Sequence, residues 1–392
     1  MRKSVFTVAV AGAAIPCAHA QNSVTLYGVL DEGLMFLSHT GGAAGGKLIT
    51  VDSVNGMSGS RWGMTGSENL GGGLHAIFTL EGGVNLNTGQ AGQGGTFFGR
   101  RAFVGLGSDQ YGTLTLGRQY DEILYFIQPL TSVGSQAGST AFAHPGDLDN
   151  TANSLRANNA VQYISASYGG FTVGGEYSLG GQAGDVTANS GYSMGMSYAN
   201  GSVRLAVAYE YFKDPTSTTA GTGFFTGNAN GSTSLRNSLN NGYTSALSYQ
   251  VIGLGAGYTV GTVSLATAYT NIQYGNMNAG FNGQSAHFNN LDFSIKYLPS
   301  PAVSLSAAYD YLKGESVTTS SGVKIGNQHY NQFSLMGDYL LSKATDVYLE
   351  GAYQRASGIS STGGSAVADI GNVGDANGNH QFLFRVGLRH LF

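Results

Sequence analysis

Arg61 and Arg101 each sit where a two-residue period turns side chains away from an apolar face. Arg118 and Arg156 stand at the two ends of a stretch, about Tyr120–Asn159, that has no sustained alternation. It contains Asp121, Glu122, Asp147 and Asp149, the break Pro145-Gly146 and many small residues. So long an irregular segment inside a compact domain is functional or disordered. Arg118 shares parity with Leu114 and Leu116, so it requires a bulge or a place beyond the strand end. Arg100 has the parity of Ala102 and Val104 and is the weaker candidate. Fixed charges of this kind break no bonds, but around confined water they bias which ions enter. Catalysis asks for more. His75 and Ser67 stand alone, and no Gly-x-Ser-x-Gly elbow is readable. No His/Asp cluster has metal-ligand spacing. No catalytic residue, metal or cofactor is therefore expected.

The elements that hold these charges are strands. In the closing stretch Gln381–Phe392, residues Phe382, Phe384, Val386, Leu388, His390 and Phe392 share one face. Gln381, Leu383, Arg385, Gly387, Arg389 and Leu391 share the other. An edge strand of a soluble sandwich would explain one such segment, but the alternation recurs along the chain and no helical pattern exists to cover it. A closed barrel in a bilayer satisfies both faces, with lipid outside, water inside and no unpaired edge.

Composition agrees. The chain is rich in Gly (62), Tyr (23) and Phe (19), has 10% charged residues, and holds no apolar run near the length of a membrane helix. Mean hydropathy is near zero, as alternation produces. Without a collagen period, the glycines belong to turns, loops and strand positions where close approach is needed. No basic tract points to nucleic acid. Residues 1–20 read as a secretory signal: Arg2 and Lys3, the apolar run Val5–Ile15, then Ala18-His19-Ala20. Its removal takes the single cysteine, Cys17, and two of the 18 basic residues, leaving 16 against 22 acidic, a net charge of −6. Residues 21–392 then form the barrel domain.

In order, strands are expected over Val24–Phe36, Ser60–Ser67, Leu74–Glu81, Phe97–Leu106, Thr113–Arg118, Val161–Ser167, Phe171–Leu179, Tyr192–Ala199 and Val203–Tyr211. Then come Tyr243–Tyr258, Thr262–Gln273, Leu291–Leu298, Val303–Tyr311, Gln332–Leu341, Asp346–Tyr353 and the closing strand. Short turns such as Asn200-Gly201 alternate with long Gly/Ser/Thr-rich loops. The sum is about sixteen strands, an even number with both ends on the short-turn side. Tyr209, Tyr211, Tyr269, Tyr309, Tyr311 and Tyr353 recur near the long-loop ends, where an interfacial aromatic girdle belongs.

Several blocks carry a resemblance. They are Ser23-Val-Thr-Leu-Tyr-Gly28 with Asp31; Ser60-Arg-Trp-Gly-Met-Thr-Gly-Ser-Glu-Asn-Leu-Gly-Gly-Gly-Leu74; and Gly99-Arg-Arg-Ala-Phe-Val-Gly-Leu106. Tyr111-Gly-Thr-Leu-Thr-Leu-Gly-Arg-Gln-Tyr-Asp121, Arg156-Ala-Asn-Asn159 and Val386-Gly-Leu-Arg-His-Leu-Phe392 follow. Together and in order, these resemble the general porins of Gram-negative bacteria, of the trimeric β-proteobacterial type. The resemblance implies an all-β, sixteen-stranded antiparallel transmembrane barrel with the third loop, Tyr120–Asn159, folded inward. It implies a water-filled channel for passive diffusion of small hydrophilic solutes and ions. Arg61, Arg101, Arg118 and Arg156 would form the basic wall of the constriction, opposed by Asp121, Glu122, Asp147 and Asp149 on the loop. It further implies a homotrimer among outer-membrane lipid and lipopolysaccharide, with Phe392 ending the signal read by the barrel-assembly machinery. Thr65 and His75 stand where the family usually carries basic residues, and Asn69 replaces an acid, so selectivity is expected to be weak and anion-leaning. The alternative is an adhesin or structural barrel with a plugged lumen.

Overall fold

The computed structural model describes residues 23–41, 45–216, 223–226, 228, 235, 237–371 and 373–392; the expected signal segment lies outside them. Sixteen antiparallel strands close on themselves. They are β1 (Ser23–Leu37), β2 (Leu48–Asp52 and Arg61–Gly71), β3 (Leu74–Gly83), β4 (Arg101–Ser108), β5 (Gly112–Gln119), β6 (Ala157–Ile164), β7 (Phe171–Ser178) and β8 (Gly191–Asn200). The circuit continues with β9 (Val203–Lys213), β10 (Ser248–Val260), β11 (Val263–Met277), β12 (Gln284–Ser300), β13 (Val303–Gly314), β14 (His329–Leu340), β15 (Thr345–Ser357) and β16 (His380–Leu391). Each strand pairs with the next. β16 pairs with β1 from Val29↔Leu391 to Leu37↔Leu383, which leaves the ring without an edge. Among the described residues no helix is long and apolar enough to cross a membrane.

The alternation explains the closure. In β1, Leu26 and Leu34 are exposed while Asp31, Met35 and Leu37 are buried. In β16, Phe382, Phe384, Val386 and Leu388 are exposed, and Leu383 and Arg385 are completely buried. An outward apolar band with its polar and charged residues turned inward is the pattern lipid demands. Near the long-loop ends three of the tyrosines each bond to a side chain on the following strand. Tyr209, Tyr269 and Tyr309 donate to Gln250, Asn289 and Asn331 at 2.9, 2.6 and 2.7 Å.

Several boundaries differ from expectation, and three of them have a cause visible in the packing or pairing. β4 starts at Arg101 rather than Phe97, because Phe97 and Phe98 pack on each other and on Trp62. β10 starts at Ser248, because Tyr243 belongs to a tight helical turn and is buried against Tyr274 and Phe288. β12 reaches back to Gln284, its polar residues His287, Asn289 and Asn290 remaining in register with β11.

The second strand is broken. Residues 53–60 leave the wall between its two segments and fold inward. The Ser58 N–H donates to Asp31 at 2.8 Å, the Met57 N–H to the Tyr348 hydroxyl at 3.1 Å, and the Thr140 N–H to the Gly56 carbonyl at 3.3 Å. Gly56 is required there, since a Cβ would lie 2.6 Å from Arg385, Asp31 and Tyr348 atoms. Neither this insertion nor the segment Leu48–Asp52 was anticipated.

The chain between β5 and β6 also folds inward. It begins with a π-helical turn, Ile123–Ile127, and continues through short helical turns. Its apolar side chains press on the inner wall where that wall has glycine. A Cβ on Gly195 would stand 2.2 Å from Phe126, on Gly253 2.7 Å from Ile127, and on Gly255 and Gly257 2.8 and 2.9 Å from Leu130. Those strand glycines exist for close approach, and this loop-to-wall contact joins an interior core that also takes in Phe224, Leu239 and Tyr243 from the chain between β9 and β10.

Candidate functional site

Beside the folded loop a cavity of about 1430 Å³ runs along the wall. Its lining extends from Gln90–Gly95, in the loop between β3 and β4, down to Tyr27 and the C-terminal Leu391 and Phe392. Arg61, Arg100, Arg101 and Arg156 line it, with Glu81 and Tyr120. Apart from Arg156 at its end, the inward loop contributes only uncharged residues, among them Tyr125, Gln128, Pro129, Asn153 and Ser154.

The arginines reach the same space by different routes. Arg61 begins the second segment of β2, directly after the insertion, and its Nη1 donates to the Gly59 carbonyl at 3.0 Å. Arg101 opens β4 opposite Glu81 of β3. Arg156 ends the inward loop one residue before β6. Arg100 precedes β4, so strand parity does not govern it, and its Nε reaches Glu81 at 2.7 Å. Parity with Ala102 and Val104 would turn it outward, but outside the strand that rule lapses and Arg100 reaches the cavity.

Glu81 was not singled out, although its inward parity was legible. Its Oε1 accepts from Arg100 Nε at 2.7 Å and from the Tyr120 hydroxyl at 3.1 Å. Its Oε2 accepts from the Tyr27 hydroxyl at 2.8 Å and from Arg101 Nη2 at 3.1 Å. The Tyr120 ring lies under both guanidinium groups, at 5.9 and 5.2 Å. Glu81 is 2% exposed, so its charge is spent on its neighbours. No carboxylate ion-pairs with Arg61 or Arg156 among the described residues.

Arg118 stays outside this lining. A register shift between Gly117 and Gln119 supplies the expected bulge. The guanidinium then donates to the Gly99 carbonyl at 2.8 Å and to Asn158 Oδ1 at 2.6 Å, tying β5 to the chain just before β4 and to the start of β6. Arg385 lies behind the 53–60 insertion, paired with Asp31 and Asp52 at 3.0 and 2.9 Å; Arg389 pairs with Asp346 at 2.9 Å.

The loop acids differ from expectation most. Asp121, Glu122, Asp147 and Asp149 are all buried, and none lines the passage. Asp121 accepts from the Leu124 N–H at 3.0 Å and from Asn150. Asp147 accepts from the Ala152 and Ser154 N–H groups at 2.7 and 3.1 Å. Asp149 accepts from His144 at 2.7 Å and Thr270 at 2.5 Å. Glu122 faces Gln162 at 3.3 Å, on the wall. For Asp121 and Asp147 the physical reason is the loop's own demand for acceptors. It is dense in turns with free N–H groups, and carboxylates satisfy them. Burial, then the charge of Asp121, pushes the Glu122 carboxyl up to about 8. Burial, then the charge of Asp149, pushes Asp147 up to about 7.

Phe392 finishes the ring. Its N–H donates to the Gly28 carbonyl at 3.1 Å and its carbonyl accepts from the Gly28 N–H at 2.9 Å. Its side chain lies over Gly28, where a Cβ would come within 2.4 Å of it.

Known proteins share this architecture. An outer membrane porin of Bordetella pertussis is 32% identical over 231 residues, 54% of this chain and 59% of that protein. Outer membrane porin protein 32 of Delftia acidovorans is 36% identical over 187 residues, 46% of this chain and 50% of that protein. The matches thus span between half and three fifths of these two relatives. In fold, the anion-selective porin from Comamonas acidovorans superposes with a TM-score of 0.68 at 22% identity, over 95% of this chain and all of that one. The sequence profile of Gram-negative porins matches residues 6–359. A closed wall, an inward loop and an arginine-set passage therefore accompany a match over most of the sequence, and the chain belongs to the Gram-negative porin family.

Proposed function

We propose that the protein is a passive channel across the Gram-negative outer membrane, admitting small hydrophilic solutes and preferring anions. The observation that carries this reading is the lining of the passage, in which Arg61, Arg100, Arg101 and Arg156 face one acid, Glu81, already fully paired. In a narrow space between low-dielectric walls, such charges raise the local anion concentration and are screened less than on an open surface. Removing the loop acids from the lining leaves that positive potential unopposed, so the preference is stronger than the departures at Thr65 and His75 suggested. A width-limited, charged, water-filled path needs no reaction, and no catalytic step is assigned.

Residues 1–20 direct export and are removed. The chain assembles as a homotrimer among outer-membrane lipid and lipopolysaccharide, and the strand ending in Phe392 is read by the barrel-assembly machinery. The relatives named as outer membrane porins support this reading. Liposome swelling with sugars of graded size is the direct test: small sugars enter and larger ones are excluded. A barrel plugged by its loops admits none, and that outcome returns the reading to an adhesin or structural role.

A further inference from the structure

We propose that His144, Asp292 and Asp310 form a divalent transition-metal site that pins the inward loop to the wall. His144 comes from the loop, Asp292 from β12 and Asp310 from β13. All three are buried, and their ligand atoms lie within 4.8 Å of one another.

The imidazole is oriented as metal-bound histidines are. Its Nδ1 faces Asp149 Oδ2 at 2.7 Å, which leaves Nε2 aimed at the two wall carboxylates. A carboxylate behind a histidine fixes the tautomer with Nε2 free to ligate. Nε2 stands 2.8 Å from Asp292 Oδ2 and 3.6 Å from Asp310 Oδ2. Two ligands on one tetrahedral zinc ion lie roughly 3.3 Å apart, given bonds of about 2.0–2.2 Å. The two separations straddle that value and the third, between the two carboxylates, is no more than 4.8 Å, so small side-chain shifts seat an ion.

A second observation points the same way. Asp292 Oδ1 and Asp310 Oδ1 are both buried and accept no hydrogen bond. The other donors in reach are neutral: the Ser132 N–H and hydroxyl on Asp292, at 2.8 and 2.5 Å, and Asn290 on Asp310, at 2.7 Å. When ionised, the three carboxylates around one imidazole carry more negative charge than that ring balances even when it is protonated, and buried charge in excess is strongly unfavourable. A dication removes the excess, and a carboxylate that binds it through both oxygens gives its orphaned Oδ1 a partner. Mixed nitrogen and carboxylate ligands suit zinc.

The test is to refold the full chain in detergent with zinc chloride or with a chelator, remove loose metal, and measure retained zinc by elemental analysis. Wild type keeps about one zinc per chain, and His144→Asn and Asp310→Asn each keep at most about a fifth of that. The zinc-loaded wild type melts several degrees higher than the chelated protein, and His144→Asn loses the difference. A rim control, His39→Ala with His380→Ala, retains the wild-type amount; those two rings lie 4.1 Å apart and could otherwise capture metal. The proposal is overturned if wild type retains no zinc, or if zinc persists in both His144→Asn and Asp310→Asn. Wild-type retention is measured whether or not either variant folds.

Discussion

Arg100 Nε stands 2.7 Å from Glu81 Oε1, so the sole acid among the described residues lining the passage is consumed by the arginine row itself. Glu81→Gln releases both Arg100 and Arg101. The expected outcome is an anion-to-cation permeability ratio raised about twofold, read from reversal potentials in a salt gradient. The variant also unfolds at lower denaturant, because removing one partner of a buried pair leaves charge uncompensated.

The wall arginines and the loop acids should separate by phenotype. Arg61→Gln with Arg156→Gln lowers the permeability ratio at least about threefold and leaves the fold intact. Asp121→Asn and Asp147→Asn leave the ratio near the wild-type value. Each nonetheless lowers stability by about 1–3 kcal/mol, through the N–H groups those carboxylates serve. Bilayer recordings beside urea denaturation distinguish the two classes.

Gly195 is the tightest point between wall and loop. Gly195→Ala sets a methyl group 2.2 Å from the Phe126 ring, so the loop must move. A loss of about 1–3 kcal/mol is expected, together with an altered single-channel conductance. Phe126→Leu in the same background recovers part of both.

Glu122 gives the loop a pH dependence. Its carboxyl titrates near 8 in the folded protein and near 4.5 when unfolded. A raised acid contributes stability that is whole below about 4.5 and declines as pH climbs through about 8. Glu122→Gln keeps an acceptor for Gln162 and cannot ionise. Its unfolding midpoint should match wild type near pH 4.5 and exceed it near pH 8.5, and equal midpoints at the higher pH would remove the effect.

Much of the barrel was legible because lipid imposes a strict period. A strand such as Leu74–Gly83 must alternate or fail, and its Glu81 is readable as inward. The family blocks placed the inward loop from Tyr120 onward, although the last expected residues, Ala157–Asn159, belong to β6. What could not be read is decided in three dimensions. Arg100 lies just outside a strand, where parity lapses. The turn of 53–60 into the lumen depends on contacts with Tyr348 and Thr140, far along the chain. The loop acids illustrate the limit most clearly. Their sequence positions fit a charged rim, and only the packing reveals that Asp121 and Asp147 serve backbone donors. The gathering of His144 with Asp292 and Asp310 was likewise invisible, since the three belong to separate elements.

The most direct test of the central claim is the reversal potential of the unmodified channel in a planar bilayer under a tenfold potassium chloride gradient. The arginine-lined passage predicts steady current with a potential displaced toward that of chloride. A potential displaced toward potassium, or a membrane that carries no current once the protein is inserted, would contradict it.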